Sequence, residues 1–274
     1  MNRYTWRTFV LEIVMILVTA VFAFPLWMLI SVGFRTAPEV AKDPMGIPRT
    51  LNFDNFIGAW TEGEMGTAFL VSLLITAASV ALLVICGAAG SYYFARSRGS
   101  AGMRWYAIIA AGMMVPFQIG LLPLYRIMSS IGLTGNPLAV ILISVGVHLP
   151  LTIILYTGFI KQIPAEYEEA ARVDGATSFQ IFWRVLIPLL LPVTGTVIIL
   201  NGIGVWNEFF TPLLYLGGTE AVTIPVRVYG FVGEYGADWG KVFAGLLMAS
   251  LPVLLLFFAF QRYMIKSFGS GLKG

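Results

Sequence analysis

The sequence has little charge and a single cysteine. Only 11% of its 274 residues are Asp, Glu, Lys or Arg, whereas a soluble globular protein carries about 25%. This scarcity excludes a cytosolic enzyme of ordinary composition, and a hydrophobic content of 58% excludes a disordered chain. Cys86 has no partner in the chain, which excludes a disulfide-stabilised scaffold. The composition therefore indicates a polytopic membrane protein.

Long apolar runs make up much of the sequence. A helix needs about 20 mostly apolar residues to cross the hydrocarbon core of a bilayer. Six runs of this kind predict an all-α protein with six transmembrane helices: Phe9–Phe34, Thr67–Ala95, Trp105–Tyr125, Pro137–Ile160, Val185–Trp206 and Val242–Gln261. The first run also begins like a signal peptide, but its apolar stretch is too long for one, so we interpret it as a retained helix.

The distribution of basic residues predicts the orientation. An even number of spans places both termini on one side, and that side receives 11 of the 17 basic residues: Arg3, Arg7, Arg96, Arg98, Arg104, Lys161, Arg172, Arg184, Arg262, Lys266 and Lys273. Because Lys and Arg are enriched in cytoplasmic loops, both termini are predicted to be cytoplasmic, in a plasma (inner) membrane. The basic residues are too sparse to indicate nucleic-acid binding.

Ionisable side chains are scarce within the predicted spans, where only Glu12 and His148 occur. Glu12 lies near a helix end, where it can reach the interface or pair with Arg7 or a partner subunit. We interpret His148 as a neutral side chain bonded to a nearby carbonyl, rather than as a ligand or proton carrier. Ion-driven transporters build their coupling sites from intramembrane carboxylates or broken-helix carbonyls. If the protein is a transporter, the shortage of carboxylates predicts that its energy source lies outside the membrane spans.

Three polar residues lie towards the end of the fifth predicted span. Asn201 and Glu208 are seven residues apart and share a face if the helix continues past Trp206, with Asn207 between them. They form either a solvated interface or the lining of a polar pathway. Such donors and acceptors would suit a polyhydroxyl solute.

The loop Lys161–Arg184 is predicted to begin with a helix on the cytoplasmic surface. Glutamates near its start place negative charge at the positive end of the helix dipole: Glu166, Glu168 and Glu169. Gly175 is expected to end this helix. The acidic residues oppose binding to an anionic lipid surface, so a protein partner is favoured over an interfacial helix on lipid.

A second short helix is predicted to follow, which makes the loop a helix-turn-helix. Thr177 and Gln180 form a capping-box pattern at its start. Four apolar residues then fall at helical spacing and predict one apolar stripe: Phe179, Phe182, Trp183 and Leu186. Pro188 is expected to mark the bend back into the membrane.

The same loop resembles the signature of the permease subunits of binding-protein-dependent ABC importers. The family pattern is Glu-Ala-Ala, three residues, Gly, nine residues, an aliphatic residue, one residue, another aliphatic residue and Pro. The residues that match it are Glu169, Ala170, Ala171, Gly175, Val185, Ile187 and Pro188, and Asp174 fits the common Asp-Gly-Ala form. Other segments resemble the maltose-type second permease of the carbohydrate-uptake branch: Val115-Pro116-Phe117-Gln118, Gly132-Leu133-Thr134, Trp206-Asn207-Glu208-Phe209 and Gly271-Leu272-Lys273-Gly274.

This resemblance implies a permease subunit of an ATP-driven importer that moves a sugar, meaning an oligosaccharide or a related polyol or glycoside, into the cytoplasm by alternating access. It implies as partners a homologous second permease, two ATPase subunits and an extracytoplasmic solute-binding protein, with lipid around the spans. ATP and Mg belong to the ATPase, and this chain is not expected to be an enzyme. Its nearest approach to a phosphate loop, Gly236–Lys241, is one residue short. An ion-gradient-driven sugar transporter is the alternative class, a channel is a further one, and glycerol phosphate is an alternative substrate within the family.

The resemblance also implies roles for individual residues, with the Glu-Ala-Ala loop as the element that couples the permease to the ATPase. Glu169 would be the charged contact, Ala170 and Ala171 would allow close approach, and Gly175 would make the turn. The complete coupling set is Glu169, Ala170, Ala171, Asp174, Gly175, Phe179, Phe182 and Pro188.

We expect three parts in the chain. Residues 1–66 form the first helix and an external loop, and residues 67–264 form the importer transmembrane domain, a five-helix core with coupling loop 161–184. Residues 265–274 form a cytoplasmic tail. The outer segment Gly217–Gly240 is expected to meet the solute-binding protein.

Overall fold

The computed structural model describes residues 5–97, 99–233 and 236–271, with side chains described as far as Gln261 in the last helix. Most of these residues are helical, which confirms the predicted helical fold. The α-helices are α1 Trp6–Gly33, α2 Ala37–Lys42, α3 Asp54–Glu62, α4 Met65–Arg96, α5 Ser100–Gly112, α6 Leu121–Ser130, α7 Pro137–Ile160, α8 Glu166–Val173, α9 Ser178–Gln180, α10 Ile187–Trp206, α11 Phe210–Leu216, α12 Ile224–Tyr229 and α13 Trp239–Gly271. A 3₁₀ turn at Phe117–Gly120, a π-helical turn at Ile181–Leu186 and a hairpin of β1 Val232–Gly233 with β2 Gly236–Ala237 are the other elements.

Some of the residues used in the sequence analysis lie outside the described residues. They are Arg3, Arg98 and Lys273 of the orientation argument, Glu234 and Tyr235 of the outer segment, and the last three residues of the predicted tail.

Within the part of the chain that the structure describes, five helices are long and apolar enough to cross a membrane: Trp6–Gly33, Met65–Arg96, Pro137–Ile160, Ser178–Trp206 and Trp239–Gln261. Each coincides with one of the predicted spans. None of the most apolar stretch of α1 is buried by the described protein. A bilayer can cover such a surface, because its hydrocarbon core is as apolar as the helix.

The third predicted span, Trp105–Tyr125, is not the single helix we expected. Segments Ser100–Gly112 and Phe117–Ser130 meet at an angle of 88°. Pro116 lies at this break, and it lacks a backbone N–H and crowds the preceding helical turn. The chain between these two segments forms tight turns. In one of them the N–H of Val115 donates to the carbonyl of Gly112 at 3.2 Å.

The described residues within 1–66 and 224–251 form one compact unit. The buried Arg35 organises the chain around α2, since its Nη2 donates to the carbonyl of Glu39 at 2.7 Å and its Nη1 to that of Gly46 at 3.1 Å. Two ion pairs join the two stretches of this unit: Lys241 with Glu62, and Arg227 with Glu64.

The described residues within 67–223 and 252–274 form a second compact unit, which contains the predicted coupling loop. Helices α4, α7 and α10 contribute its apolar core, which continues into the π-helical turn: Ala88, Tyr156, Ile160, Leu186, Leu190, Val193 and Val197. α4 comes close to α7 at Gly87, where a Cβ atom would lie only 2.4 Å from Cγ2 of Thr152. Glycine is therefore required for this approach. These helices form the packed base from which the loop projects.

Candidate functional site

The first half of the predicted coupling loop is the helix α8, and it ends as the sequence predicts. Gly175 has a φ of +85°, in the left-handed region that favours glycine. Its N–H donates to the carbonyl of Arg172 at 3.0 Å, and the N–H of Ala176 donates to the carbonyl of Ala171 at 2.9 Å. This pair of bonds is the Schellman arrangement, which satisfies carbonyls that the end of a helix leaves without partners.

The second half of the loop begins with the predicted capping box. The N–H of Gln180 donates to Oγ1 of Thr177 at 3.3 Å, and the N–H of Thr177 donates to Oε1 of Gln180 at 2.9 Å. These reciprocal bonds use two donors that a helix start leaves free. The predicted helix-turn-helix is confirmed.

Pro188 does not interrupt the helix, because one continuous helix runs from Ser178 to Trp206; a bend at this position stays a prediction. Pro188 lies near the start of α10, directly after the π-helical turn Ile181–Leu186. A proline has no N–H to donate back into the helix and crowds the residue four positions before it. The wider turn just upstream accommodates the proline without ending the helix.

The predicted apolar stripe is confirmed only in part: the ring centroid of Trp183 lies 5.4 Å from that of Phe182 and 6.1 Å from that of Phe179, but the four residues differ in burial. Leu186 is buried and Phe182 is half-buried against Tyr92, with ring centroids 5.9 Å apart. Phe179 and Trp183 are exposed. A π-helical turn brings residues five apart onto one face, and the buried pair is accordingly Ile181 with Leu186.

The outer surface of the loop carries the motif residues and several large apolar side chains. Glu169, Ala170, Asp174 and Gly175 are exposed, Ala171 is half-buried, and Pro188 is exposed. Phe179 is 73% exposed and Val173 is 88% exposed, and Tyr167 is also exposed. Apolar groups grouped in this way on a short segment mark a contact surface.

Glu168, which the sequence analysis treated only as one of several acids, has the most specific contacts in the loop. It is 3% exposed. Its Oε1 accepts from Nε of Arg96 at 2.8 Å, and its Oε2 accepts from the hydroxyl of Tyr92 at 2.8 Å. Nη2 of Arg96 also donates to the carbonyl of Ile163 at 2.9 Å. The spacing of Glu168 and Arg172 signals a helical pair, but no local pattern signals partners more than 70 residues away.

The three candidate pathway residues do not share a helix face, because α10 ends at Trp206. Asn201 is buried, and its Nδ2 donates to Oγ1 of Thr152 on α7 at 3.0 Å. Asn207 is exposed at the end of α10. Glu208 is half-buried and accepts from the N–H of Thr211 at 3.0 and 3.2 Å, which places it at the start of α11.

His148 lies on α7 beside these residues. Its Nδ1 is 2.9 Å from the carbonyl oxygen of Ser144, which confirms the expected bond to a nearby carbonyl. Its Nε2 lies 2.9 Å from the position that a Cβ atom would take on Gly204. The pKa of Glu208 is raised above its ordinary value, because burial raises it more than the hydrogen bonds from Thr211 and the electrostatic effect of nearby His148 lower it.

The sequence of residues 86–269 matches the family described as the binding-protein-dependent transport system inner membrane component. The chain belongs to this family. The expected membership is thereby confirmed, and the exposed Glu-Ala-Ala helix is part of the matched region. This inner membrane component is an integral membrane protein.

Two relatives are similar over nearly the whole chain. The melibiose/raffinose/stachyose import permease protein MelC of Bacillus subtilis is 33% identical over 248 residues, which cover 90% of each chain. The multiple sugar-binding transport system permease protein MsmG of Streptococcus mutans is 29% identical over 273 residues, covering 98% of this chain and 96% of the relative.

The fold is also that of a solved importer. A chain in the crystal structure of a bacterial ABC transporter involved in the import of the acidic polysaccharide alginate matches with a TM-score of 0.81 and 24% sequence identity. The match covers 96% of this chain and 99% of the other. The broken third span and the projecting loop therefore belong to a chain with the fold of an ABC-importer permease.

Proposed function

We propose that this chain is a permease subunit of an ATP-driven importer that moves an oligosaccharide or a related polyol or glycoside into the cytoplasm. The observation that carries the proposal is the Glu-Ala-Ala motif, which folds as an exposed, capped helix between two apolar spans. The relatives named as sugar permeases support a sugar as the solute. Primary, ATP-driven transport replaces the ion-driven alternative, because the family is a binding-protein-dependent one.

In the proposed topology the bent pair Ser100–Gly112 and Phe117–Ser130 completes a sixth crossing. Six crossings would put both termini on the same side, and the 11 basic residues favour the cytoplasm for that side. The predicted coupling loop then lies on the same cytoplasmic side, where an ATPase can reach it.

The proposed partners are a homologous second permease, two ATPase subunits that bind ATP and Mg, and an extracytoplasmic solute-binding protein. The exposed faces of α8 and α9 would contact an ATPase subunit, with Glu169 as the charged group and Phe179 as an apolar anchor. Phe182 packs inward on Tyr92, so its proposed role is to seat the loop on its own base rather than to touch the partner.

Coupling in this scheme rests on movement of the loop. When the ATPase subunits close on ATP, they displace α8 and α9, and α9 is continuous with the membrane helix α10. A displacement of the loop therefore tilts a helix that lies in the core of the transport unit. Such a rearrangement of packed helices is how a local contact becomes a change between inward-facing and outward-facing states.

The proposed pathway includes Asn207 and Glu208, which are exposed and half-buried. Asn201 lies inside the contact between α7 and α10, so it would meet the solute only when these helices separate. Their amide and carboxylate groups can exchange hydrogen bonds with the hydroxyls of a sugar.

The test of the function is uptake by the reconstituted complex. Proteoliposomes holding both permeases and the ATPase, with solute-binding protein on the opposite side, should accumulate raffinose-type or malto-oligosaccharides when ATP is supplied. Glycerol phosphate serves as the competing solute. Uptake by this subunit alone, driven by a sodium or proton gradient, would contradict the proposal.

The coupling assignment is tested by Glu169→Lys, with Glu166→Lys as the matched control. Both glutamates are exposed in the first turn of α8, so both changes reverse the same charge at the same end of the helix dipole. Only Glu169→Lys is expected to lower ATP-driven uptake. Equal uptake in the two variants would remove Glu169 from the ATPase contact.

A further inference from the structure

The helix α8 is attached to α4 by a buried ion pair, whereas α9 is attached to α10 by the chain itself. Both oxygens of Glu168 are engaged, one by Nε of Arg96 and the other by the hydroxyl of Tyr92. The guanidinium of Arg96 also reaches the carbonyl of Ile163, in the segment that leads into α8. One arginine therefore holds α8 at two points.

This attachment needs the fork of an arginine. Nε and Nη2 of Arg96 donate in two directions at 2.8 and 2.9 Å. A lysine carries a single ammonium group at the end of its chain and cannot reproduce this planar geometry. The residue type at position 96 therefore matters beyond its charge.

Burial makes the attachment hard to open. The side chain of Glu168 is 5% exposed and that of Arg96 is 24% exposed. If α8 moved away from α4, the carboxylate would lose the donors from Arg96 and Tyr92, and separating a buried charge from its partner is strongly unfavourable. Arg172 also pairs with Glu168, with its Nη2 4.0 Å from Oε2, but it lies on α8 itself and therefore cannot tie α8 to α4.

α4 is in turn connected to α7. The hydroxyl of Ser91 donates to the carbonyl of Ile153 at 3.0 Å, one turn from the close approach at Gly87. A force on α8 thus has a continuous route through packed and hydrogen-bonded groups to a second membrane helix.

We propose that Glu168 is a positioning residue, held by Arg96 and Tyr92, which makes α8 and the end of α4 move as one body during transport. The proposal rests on the coupling role given to loop 161–184 in the proposed function. It adds that the two halves of the loop drive two different membrane helices, α4 through this ion pair and α10 through the continuous backbone.

The test uses the assembled importer in proteoliposomes and measures solute moved per ATP hydrolysed. Glu168→Gln and Arg96→Lys should each lower this ratio by about tenfold or more, as expected for loss of charge-assisted hydrogen bonds. Arg104→Lys is the matched control, because it makes the same change at an exposed arginine on α5, outside loop 161–184, and the ratio should stay within about twofold of wild type.

A cross-link separates a coupling role from a role in folding. Arg96→Cys with Glu168→Cys, in a Cys86→Ser background, should hydrolyse ATP but transport poorly, and a short thiol-reactive linker between the new cysteines should restore transport. Co-purification of the ATPase shows that the complex is assembled. An unchanged ratio in Glu168→Gln and Arg96→Lys, or loss of transport on cross-linking, would overturn the proposal. Failure of the wild-type complex to transport any sugar with ATP would instead count against the proposed function.

Discussion

Gly175 sets the angle between the two halves of the coupling loop, and its replacement by alanine gives a quantitative prediction. No atom lies within 4 Å of the position that a Cβ atom would take there. The free-energy cost of Gly175→Ala therefore comes from the backbone conformation and not from clashes with neighbouring atoms. A left-handed residue other than glycine costs about 1–2 kcal/mol.

Part of this cost is offset, because alanine also has fewer backbone conformations than glycine in the unfolded chain, which stabilises the folded turn by about 0.4–1 kcal/mol. A net loss of about 1 kcal/mol remains, which raises the population of the opened turn roughly fivefold. The amide hydrogen of Ala176, whose bond to the carbonyl of Ala171 closes the turn, should exchange with solvent faster by the same factor.

Gly158→Ala is the matched control. Gly158 also has open space around its Cβ position, but it lies within α7 and its φ is not left-handed. The same chemical change should stabilise that helix by roughly 0.5–1 kcal/mol. Hydrogen exchange read by mass spectrometry on peptides that contain residue 176 compares the two. Unchanged exchange in Gly175→Ala, or equal acceleration in both variants, would refute the reasoning from backbone conformation.

Three further predictions concern the helices behind the loop. Gly87→Ala should lower the thermal unfolding midpoint through an overpacking cost of about 1–3 kcal/mol, because its Cβ would lie 2.4 Å from Cγ2 of Thr152. Gly90→Ala is the control and should not lower the midpoint, since the nearest atom would lie 3.8 Å from its Cβ. Equal midpoints in the two variants would contradict the close approach. Asn201→Ala should lower the free energy of chemical unfolding by about 1–3 kcal/mol, since Oγ1 of Thr152 loses a buried hydrogen-bond donor. The unfolding free energies of Asn201→Ala, Thr152→Ala and the double variant should not be additive. Simple additivity would show that the bond is not made. Glu208→Gln tests pH dependence: because the pKa of Glu208 is raised above 4.5 in the folded state, its contribution to stability is full below that value and is lost as pH rises through the raised pKa. As the pH rises from 4.5 through the raised pKa, the unfolding temperature of the wild type should fall, and that of Glu208→Gln should fall less. Parallel curves of unfolding temperature against pH would argue against the burial of this carboxyl.

Patterns that depend on local sequence were predicted well. The helix end at Gly175 and the capping box at Thr177 follow from residue types within a few positions of each other, and both are confirmed in atomic detail. The span Pro137–Ile160 has the bounds that the apolar run gives it. Position-specific caps and long apolar runs are strong local signals.

The errors came from two places where backbone geometry departs from the ordinary α-helix. The stripe through Phe179 and Leu186 assumed 3.6 residues per turn, but the π-helical turn changes the spacing there. The run Trp105–Tyr125 was predicted as one transmembrane helix, but it is broken at Pro116. In both cases a proline was visible, but whether a proline bends a helix or is absorbed by it depends on tertiary packing.

The contacts of Glu168 could not be predicted from the sequence. Arg96 and Tyr92 precede it by more than 70 residues, and they meet it only because α4 and α7 pack side by side. In the sequence Arg96 was informative about orientation alone. Long-range polar contacts of this kind require the fold to be known.

The continuous helix Ser178–Trp206 fixes a rotational phase as well as a connection. It contains 29 residues, and each residue of an α-helix advances the direction of its side chains by about 100° around the axis. Inserting or deleting one residue between the loop and Asn201 would leave all the other side chains unchanged in type. It would nevertheless rotate the loop by about 100° relative to the part of α10 that follows Asn201. The number of residues in this helix is therefore constrained as tightly as their identities, and natural length variation should be confined to segments outside it.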